Sequence, residues 1–194
     1  MGRWEPNARE RLERAALALF AEHGYDATTV AQIADRAGLT KSTFFRHFAD
    51  KREVLFGGQD MLAEVFSKAI TTAPPATPVG WLAAALAAAA VAFTPDRHDL
   101  APQRRAVIAA NSDLQERELL KRARLAAVMA EALRERGTDD VTARLAAEVG
   151  VLAFSTAYAR WAAPDNQQPF TEIADATLRE LQARAATLGA GVAP

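Results

Sequence analysis

AGLTKSTFFRHFADK, residues Ala37 to Lys51, makes two demands of one short element. Lys41, Ser42 and Thr43 stand directly before Phe44 and Phe45, and Arg46 and His47 follow before Phe48. A segment that only filled a core would not carry that polarity, and one that was only solvated would not carry so many phenylalanines. Gly38 ahead of it and Thr40 as a cap predict a short helix over 40–48. Phe44 and Phe48, four residues apart, fall on one face and are expected in the core with Leu39 and Ile33. Lys41, Ser42, Thr43, Phe45, Arg46 and His47 are left for the exposed side and the helix start.

Working outward, strand signals are nearly missing, and alanine, leucine, arginine and glutamate dominate, so an all-α fold is expected. Asn7 with Glu10 predicts the start of a first helix, whose stripe is Leu12, Ala16, Leu19 and Phe20, and His23-Gly24 ends it. Thr29 and Gln32 form a capping box for a second helix with Val30, Ile33, Ala34 and Ala37 on one face, stopped by Gly38. Asp50 and Glu53 repeat the box for a fourth helix, which Gly57 and Gly58 should bend or weaken. TTAPPATP, residues 71–78, cannot continue a helix. Beyond it the pattern predicts helices at 79–93, 102–110, 112–136, 139–163 and 170–188, with Ser112 and Gln115 as a capping box, Gly137 as a stop and a turn at 165–169. The expected division is 1–52 for an N-terminal unit, 53–70 for a connecting helix, 71–78 for a Pro-rich loop, and 79–194 for a larger helical domain.

Two short helices joined at Gly38-Leu39, over 29–48, have the lengths of a helix-turn-helix, whose second helix enters a DNA major groove. Short hydroxyls and backbone N–H groups at a helix start can approach phosphates, and Lys or Arg can reach guanine edges. The chain carries 23 basic and 24 acidic residues, a net charge of −1, so it is no general polyanion binder. The sign is regional: residues 36–52 carry Arg36, Lys41, Arg46, Lys51 and Arg52 against Asp50. Cysteine is absent, which excludes disulfides and thiolate metal sites and suits a cytoplasmic protein. The most apolar run, Trp81 to Phe93, is too short for a bilayer core, and no secretory signal opens the chain, so no membrane is expected.

From about Arg9 to Phe56 the sequence, through ALFAEHGYDATTVAQIADRAGLTKSTFFRHFADKREVL, resembles the DNA-binding domain of the TetR family of bacterial transcriptional regulators. The glycine-aromatic step, the T-T-V, the I-A-x-x-A-G and the F-x-x-K ending coincide at the family's spacings. The resemblance implies that Thr29, Lys41, Ser42, Thr43, Phe45, Arg46, His47 and Lys51 contact a palindromic operator, and that a ligand-sensing, dimerising helical domain follows. The family commonly has tyrosine where Phe45 stands; Phe45 cannot give a phosphate that hydroxyl, but could pack on a thymine methyl. The C-terminal portion is similar to regulators related to the mycofactocin-system type, which implies an acyl-coenzyme A or another hydrophobic anion as effector.

In the larger part, Ala143, Ala146, Ala147, Gly150, Ala153 and Ala157 make a small-residue stripe that would let two helices approach closely, and it is expected at a homodimer interface. Phe66, Trp81, Phe93, Ile108, Asn111, Met129, Phe154, Tyr158 and Trp161 are candidates to line a ligand cavity, with Arg104 or Arg105 holding an anion. An enzyme is disfavoured, because His23, His47 and His98 are scattered and neither a Gly-rich phosphate loop nor a nucleophile elbow is present; no cofactor or metal is implied. The remaining alternative is a DNA-binding module that answers to a protein partner or to nothing. The expected function is a ligand-responsive repressor acting as a homodimer on double-stranded DNA, with a small-molecule effector.

Overall fold

The computed structural model describes residues 7–57 and 59–188, and among these the chain is helical with no strand. It packs as two units, each with its own core. One holds the described residues up to 57 together with Asp99–Glu118; the other holds Gln59–His98 and the described residues from Leu119 onward. The division is therefore discontinuous, unlike the expected run of consecutive segments.

In the first unit α1 spans Ala8–His23, α2 Val30–Arg36, α3 Lys41–His47 and α4 Glu53–Phe56. Leu12, Ala16, Leu19 and Phe20 of α1 are buried as their spacing predicts. They meet Ile33, Ala34, Phe44, Phe48, Val54, Leu55 and Phe56 in one cluster, which Val107, Ile108 and Leu114 complete. Those last three come from α8, Ala101–Ala109, and from the start of α9, Ser112–Glu135. Polar ties accompany them: Arg117 pairs with Glu53, Arg104 donates to the Leu55 carbonyl, and Asn111 Nδ2 donates to Asp26 at 3.2 Å.

Three local expectations are corrected. Asn7 makes no side-chain cap; it sits at φ 69, and Glu10 pairs with Arg14 instead. The cap of α9 is Asn111, whose Oδ1 accepts from Leu114 N at 3.1 Å, while Gln115 donates to the Ala109 carbonyl, so the Ser112–Gln115 box is off by one. The fourth helix is not merely bent: α4 ends at Phe56, and Gly57 takes an extended ψ of 134° before the next helix begins at Gln59. A Cβ at Gly57 would lie 2.5 Å from Arg9 Nη2 and 2.7 Å from the Glu53 carbonyl, so close approach excludes a side chain there. Gly58 lies outside the described residues.

In the second unit α5 is Gln59–Thr72, α6 Pro78–Ala89, α7 Pro95–His98, α10 Asp140–Trp161 and α11 Phe170–Leu188, with the remainder of α9. The Pro-rich loop ends where Thr77 caps α6 through Gly80 N, with Pro78 in the first helical turn. The last carbonyls of α5 have no helical partners, and Pro74 and Pro75 cannot donate to them. Arg136 supplies what is missing: its Nη1 donates to Ile70, Thr71 and Ala73 carbonyls at 3.3, 2.7 and 2.7 Å, and its guanidinium lies 4.5 Å from the Trp81 ring. Trp81 Nε1 in turn donates to the Pro74 carbonyl at 2.9 Å.

The small-residue stripe of α10 faces inward. Ala143, Ala153 and Ala157 are fully covered, Ala146, Ala147 and Gly150 are buried, and a Cβ at Gly150 would stand 2.9 Å from Leu82 Cδ2 and 3.3 Å from Met129 Sδ. The close approach read from the sequence is real, but its partners are α6 and α9 of the same chain, so the expectation of a dimer interface on these residues is corrected. Among the described residues no single helix is long and apolar enough to cross a membrane. Replacing Gly150 by leucine should overpack the crossing and lower unfolding free energy by about 1–3 kcal/mol. Urea unfolding at two protein concentrations checks this, the loss being the same at both.

Candidate nucleic-acid interface

The reading helix is built from its caps inward. Thr29 Oγ1 accepts from Gln32 N at 3.3 Å, and Gln32 Oε1 accepts from Thr29 N at 2.8 Å, closing the expected box at the start of α2. At its end the chain turns at Gly38, φ 64, a left-handed conformation that glycine adopts without strain. Arg11 donates to the Ala37 carbonyl there, and a Cβ on Gly38 would meet its Nη2 at 2.9 Å. Thr40 Oγ1 then accepts from Thr43 N at 3.1 Å and starts α3.

The two demands of the opening stretch separate on α3. Phe44 is fully buried and Phe48 nearly so, their ring centroids 5.4 Å apart. Lys41, Ser42, Phe45 and Arg46 are exposed, and their spacing puts them on one side of the helix. Phe45 is 56% exposed although its ring edge rests on Phe44 at 5.5 Å, so a large apolar side chain is held out among cations. Thr43 and His47 flank this side half-buried, and His47 Nε2 is buried without a hydrogen-bond partner among the described residues. A face of two cations, a hydroxyl and an aromatic ring, on a helix projecting from a rigid core, is suited to phosphates and base edges.

Lys51 is placed differently from expectation. Its Nζ donates to the carbonyls of Tyr25, Asp26 and Thr28 at 2.7, 3.2 and 3.1 Å and lies 4.2 Å from the Tyr25 ring. An ammonium has no more than three protons to give, so Lys51 ties the α1–α2 turn instead of extending toward a phosphate. Burial pushes the neighbouring Tyr25 hydroxyl up to about 12, with the Asp50 charge adding to it. Asp50 is itself held below the ordinary carboxylate range: burial works against this, but hydrogen bonds from the Arg52 side chain and from Glu53 and Arg52 N–H outweigh it. Thr29, expected at the DNA, has its hydroxyl engaged with Gln32 in the cap.

Residues 13–56 match the family described as bacterial regulatory proteins, tetR family. Over 66 residues the chain is 44% identical to the transcriptional regulator TcmR of Streptomyces glaucescens, covering 34% of this chain and 29% of that protein. Over 46 residues it is 52% identical to the repressor KstR2 of Mycobacterium tuberculosis, covering 24% and 22%. Thermus thermophilus FadR, a TetR family transcriptional repressor solved with lauroyl-CoA, aligns along 90% of this chain and 93% of that one, with 27% identity and a TM-score of 0.53. The chain belongs to the TetR family. It spans less than a third of the length of the curated relatives it matches, and the likeness to them is confined to the DNA-binding region.

The cavity candidates of this TetR-family chain are divided by the fold. Phe66, Phe93, Phe154 and Tyr158 come together in the second unit, where Phe154 lies 5.5 Å from Phe66 and 5.9 Å from Phe93, and Tyr158 6.0 Å from Phe93. Trp161 joins them at 5.1 Å from Phe93. Phe170, which sequence reasoning missed, stacks on Phe93 at 3.9 Å; only its place at the start of a helix pointed to burial. Met129 packs at Gly150 and Trp81 on Arg136. Ile108, Asn111 and Arg105 are in the first unit: Ile108 in its core, Asn111 as the α9 cap, Arg105 exposed. They are not brought to the aromatic cluster, because α8 packs on α1.

Lys51→Met should therefore destabilise the DNA-binding unit by about 2–3 kcal/mol, leaving buried carbonyls unpaired. Thermal unfolding followed by circular dichroism checks it. A variant of unchanged stability with a salt slope of DNA binding reduced by about one would return Lys51 to phosphate contact.

Proposed function

We propose that the chain is a sequence-specific transcriptional repressor that reads a palindromic operator as a homodimer and is released by a small hydrophobic or acyl-type effector. The observation that carries this is α3: a helix pinned by Phe44 and Phe48 that presents Lys41, Ser42, Phe45 and Arg46 outward together. The match of residues 13–56 to the tetR family supports the same reading. Backbone-positioning contacts fall to Lys41, Ser42 and Thr43 near the helix start, and base readout to Phe45, Arg46 and His47.

Two copies are needed to read a palindrome, and the inward stripe of α10 leaves its other face for the second copy. That face carries Val141, Leu145 and Leu152, which are 75, 65 and 51% exposed. The effector class is supported by the lauroyl-CoA bound to Thermus thermophilus FadR and by the aromatic cluster of the second unit. No residue set of an enzyme is called for by this reading.

Selection of bound sequences from a random duplex pool tests the reader. A palindromic consensus is expected, with affinity falling steeply as salt rises. Lys41→Ala and His47→Ala should each weaken binding to it by about tenfold; no enrichment at low salt would sink the proposal. The double variant Leu145→Glu, Leu152→Glu should sediment as a monomer and lose the palindromic preference. Lauroyl-CoA added to the complex should raise the dissociation of DNA and the thermal midpoint of the protein together.

A further inference from the structure

We propose that the aromatic cluster of the second unit is a subsite for a planar aromatic molecule bearing one hydroxyl, closed in this structure by Phe93 acting as a plug. This rests on the ligand-responsive reading above and names the ligand chemistry of its site. Two independent features point there.

The first is an unmet polar atom. His98 closes α7 with its ring edge-on to Trp161, centroids 5.1 Å apart and planes at 81°. Its Nε2 is buried and has no hydrogen-bond partner among the described residues. A buried polar atom left unpaired is costly, and native structures carry few of them without a functional reason. A hydroxyl both donates and accepts, so it satisfies Nε2 in either tautomer of the ring.

The second is the way Phe93 is held. Its ring is sandwiched by stacking, 3.9 Å from Phe170 with planes at 13°, and meets the edge of Trp161. Phe154, Tyr158 and Trp161 stand on the regular helix α10 and Phe170 on α11, so their ring positions are set by helix geometry. Phe93 stands outside any α-helix, after the 3-10 turn Ala90–Ala92, at φ −105 and ψ 72. It is half-buried, so one side of the plug already touches solvent. A flat ring entering in its place keeps the stack on Phe170 and the edge contact with Trp161, and adds a bond to His98 that phenylalanine cannot make.

Purified full chain is titrated calorimetrically with 2-naphthol and with naphthalene. Saturable 2-naphthol binding is expected, roughly fivefold tighter than naphthalene because of the His98 bond. His98→Phe should abolish that preference by weakening 2-naphthol alone, and Phe93→Ala should tighten 2-naphthol about tenfold by removing the plug's exposure on opening. Absence of binding to the wild type, equal binding of the two probes, a preference that survives His98→Phe, or weaker binding in Phe93→Ala would each overturn the subsite. Repeating the titration with DNA present separates the two readings. Naphthol binding that never releases DNA keeps the subsite and removes the effector role; release by lauroyl-CoA without naphthol binding does the reverse.

Discussion

Seven residues of helix cannot hold their own shape in water, since isolated helices shorter than about 12–15 residues are marginal. The helix α3 is that short, and it exists because Phe44 is driven into the core between α1 and α2 with Phe48 behind it. Burying one such ring contributes about 1.5–3 kcal/mol, more than the caps at either end supply. Every group on the outer face, from Lys41 to Arg46, takes its position from that burial. The mixture of rings and charges in one stretch is thus a single helix used on two sides.

Short helices bring a second constraint, because each leaves carbonyls at its end that must find donors. The chain meets this repeatedly with long cations. Arg11 serves Ala37, Lys51 serves the turn after α1, Arg104 serves Leu55, and Arg136 serves the end of α5. Regional charge therefore overstates what is offered to DNA. In residues 36–52, Arg36 pairs with Glu22, Arg52 with Asp50, and Lys51 is turned inward, so Lys41 and Arg46 are the cations that α3 itself presents.

Much of the fold was legible because it is written locally. The box at Thr29–Gln32, the cap at Thr40, the stops at Gly24, Gly38 and Gly137, and the apolar stripe of α1 are all relations within a few residues. The failures share a cause. Asn111 and Ser112 are equally good caps on paper, and which one faces the N–H of Leu114 depends on where α8 stops. A stripe of alanines says that something approaches closely but not whether it belongs to the same chain; Leu82 and Met129 decide that from 68 and 21 residues away. Lys51 reads as a surface cation until Tyr25 and Thr28, distant in sequence, are folded against it.

The same long-range logic changes what the DNA-binding unit is. By sequence it ends near residue 52, but its core is not complete there, since Val107, Ile108 and Leu114 close it from α8 and α9. Three buried side chains contribute on the order of 5 kcal/mol, about the whole stability of a domain of that size. The polar ties add specificity of docking: Arg117 selects Glu53 on α4, and Asn111 uses its oxygen to cap α9 and its nitrogen to hold Asp26. One asparagine thus fixes both where α9 begins and where that beginning sits against the turn that precedes α2. A change in the register of α9 could not leave that turn, or the helix-turn-helix that starts three residues after it, undisturbed.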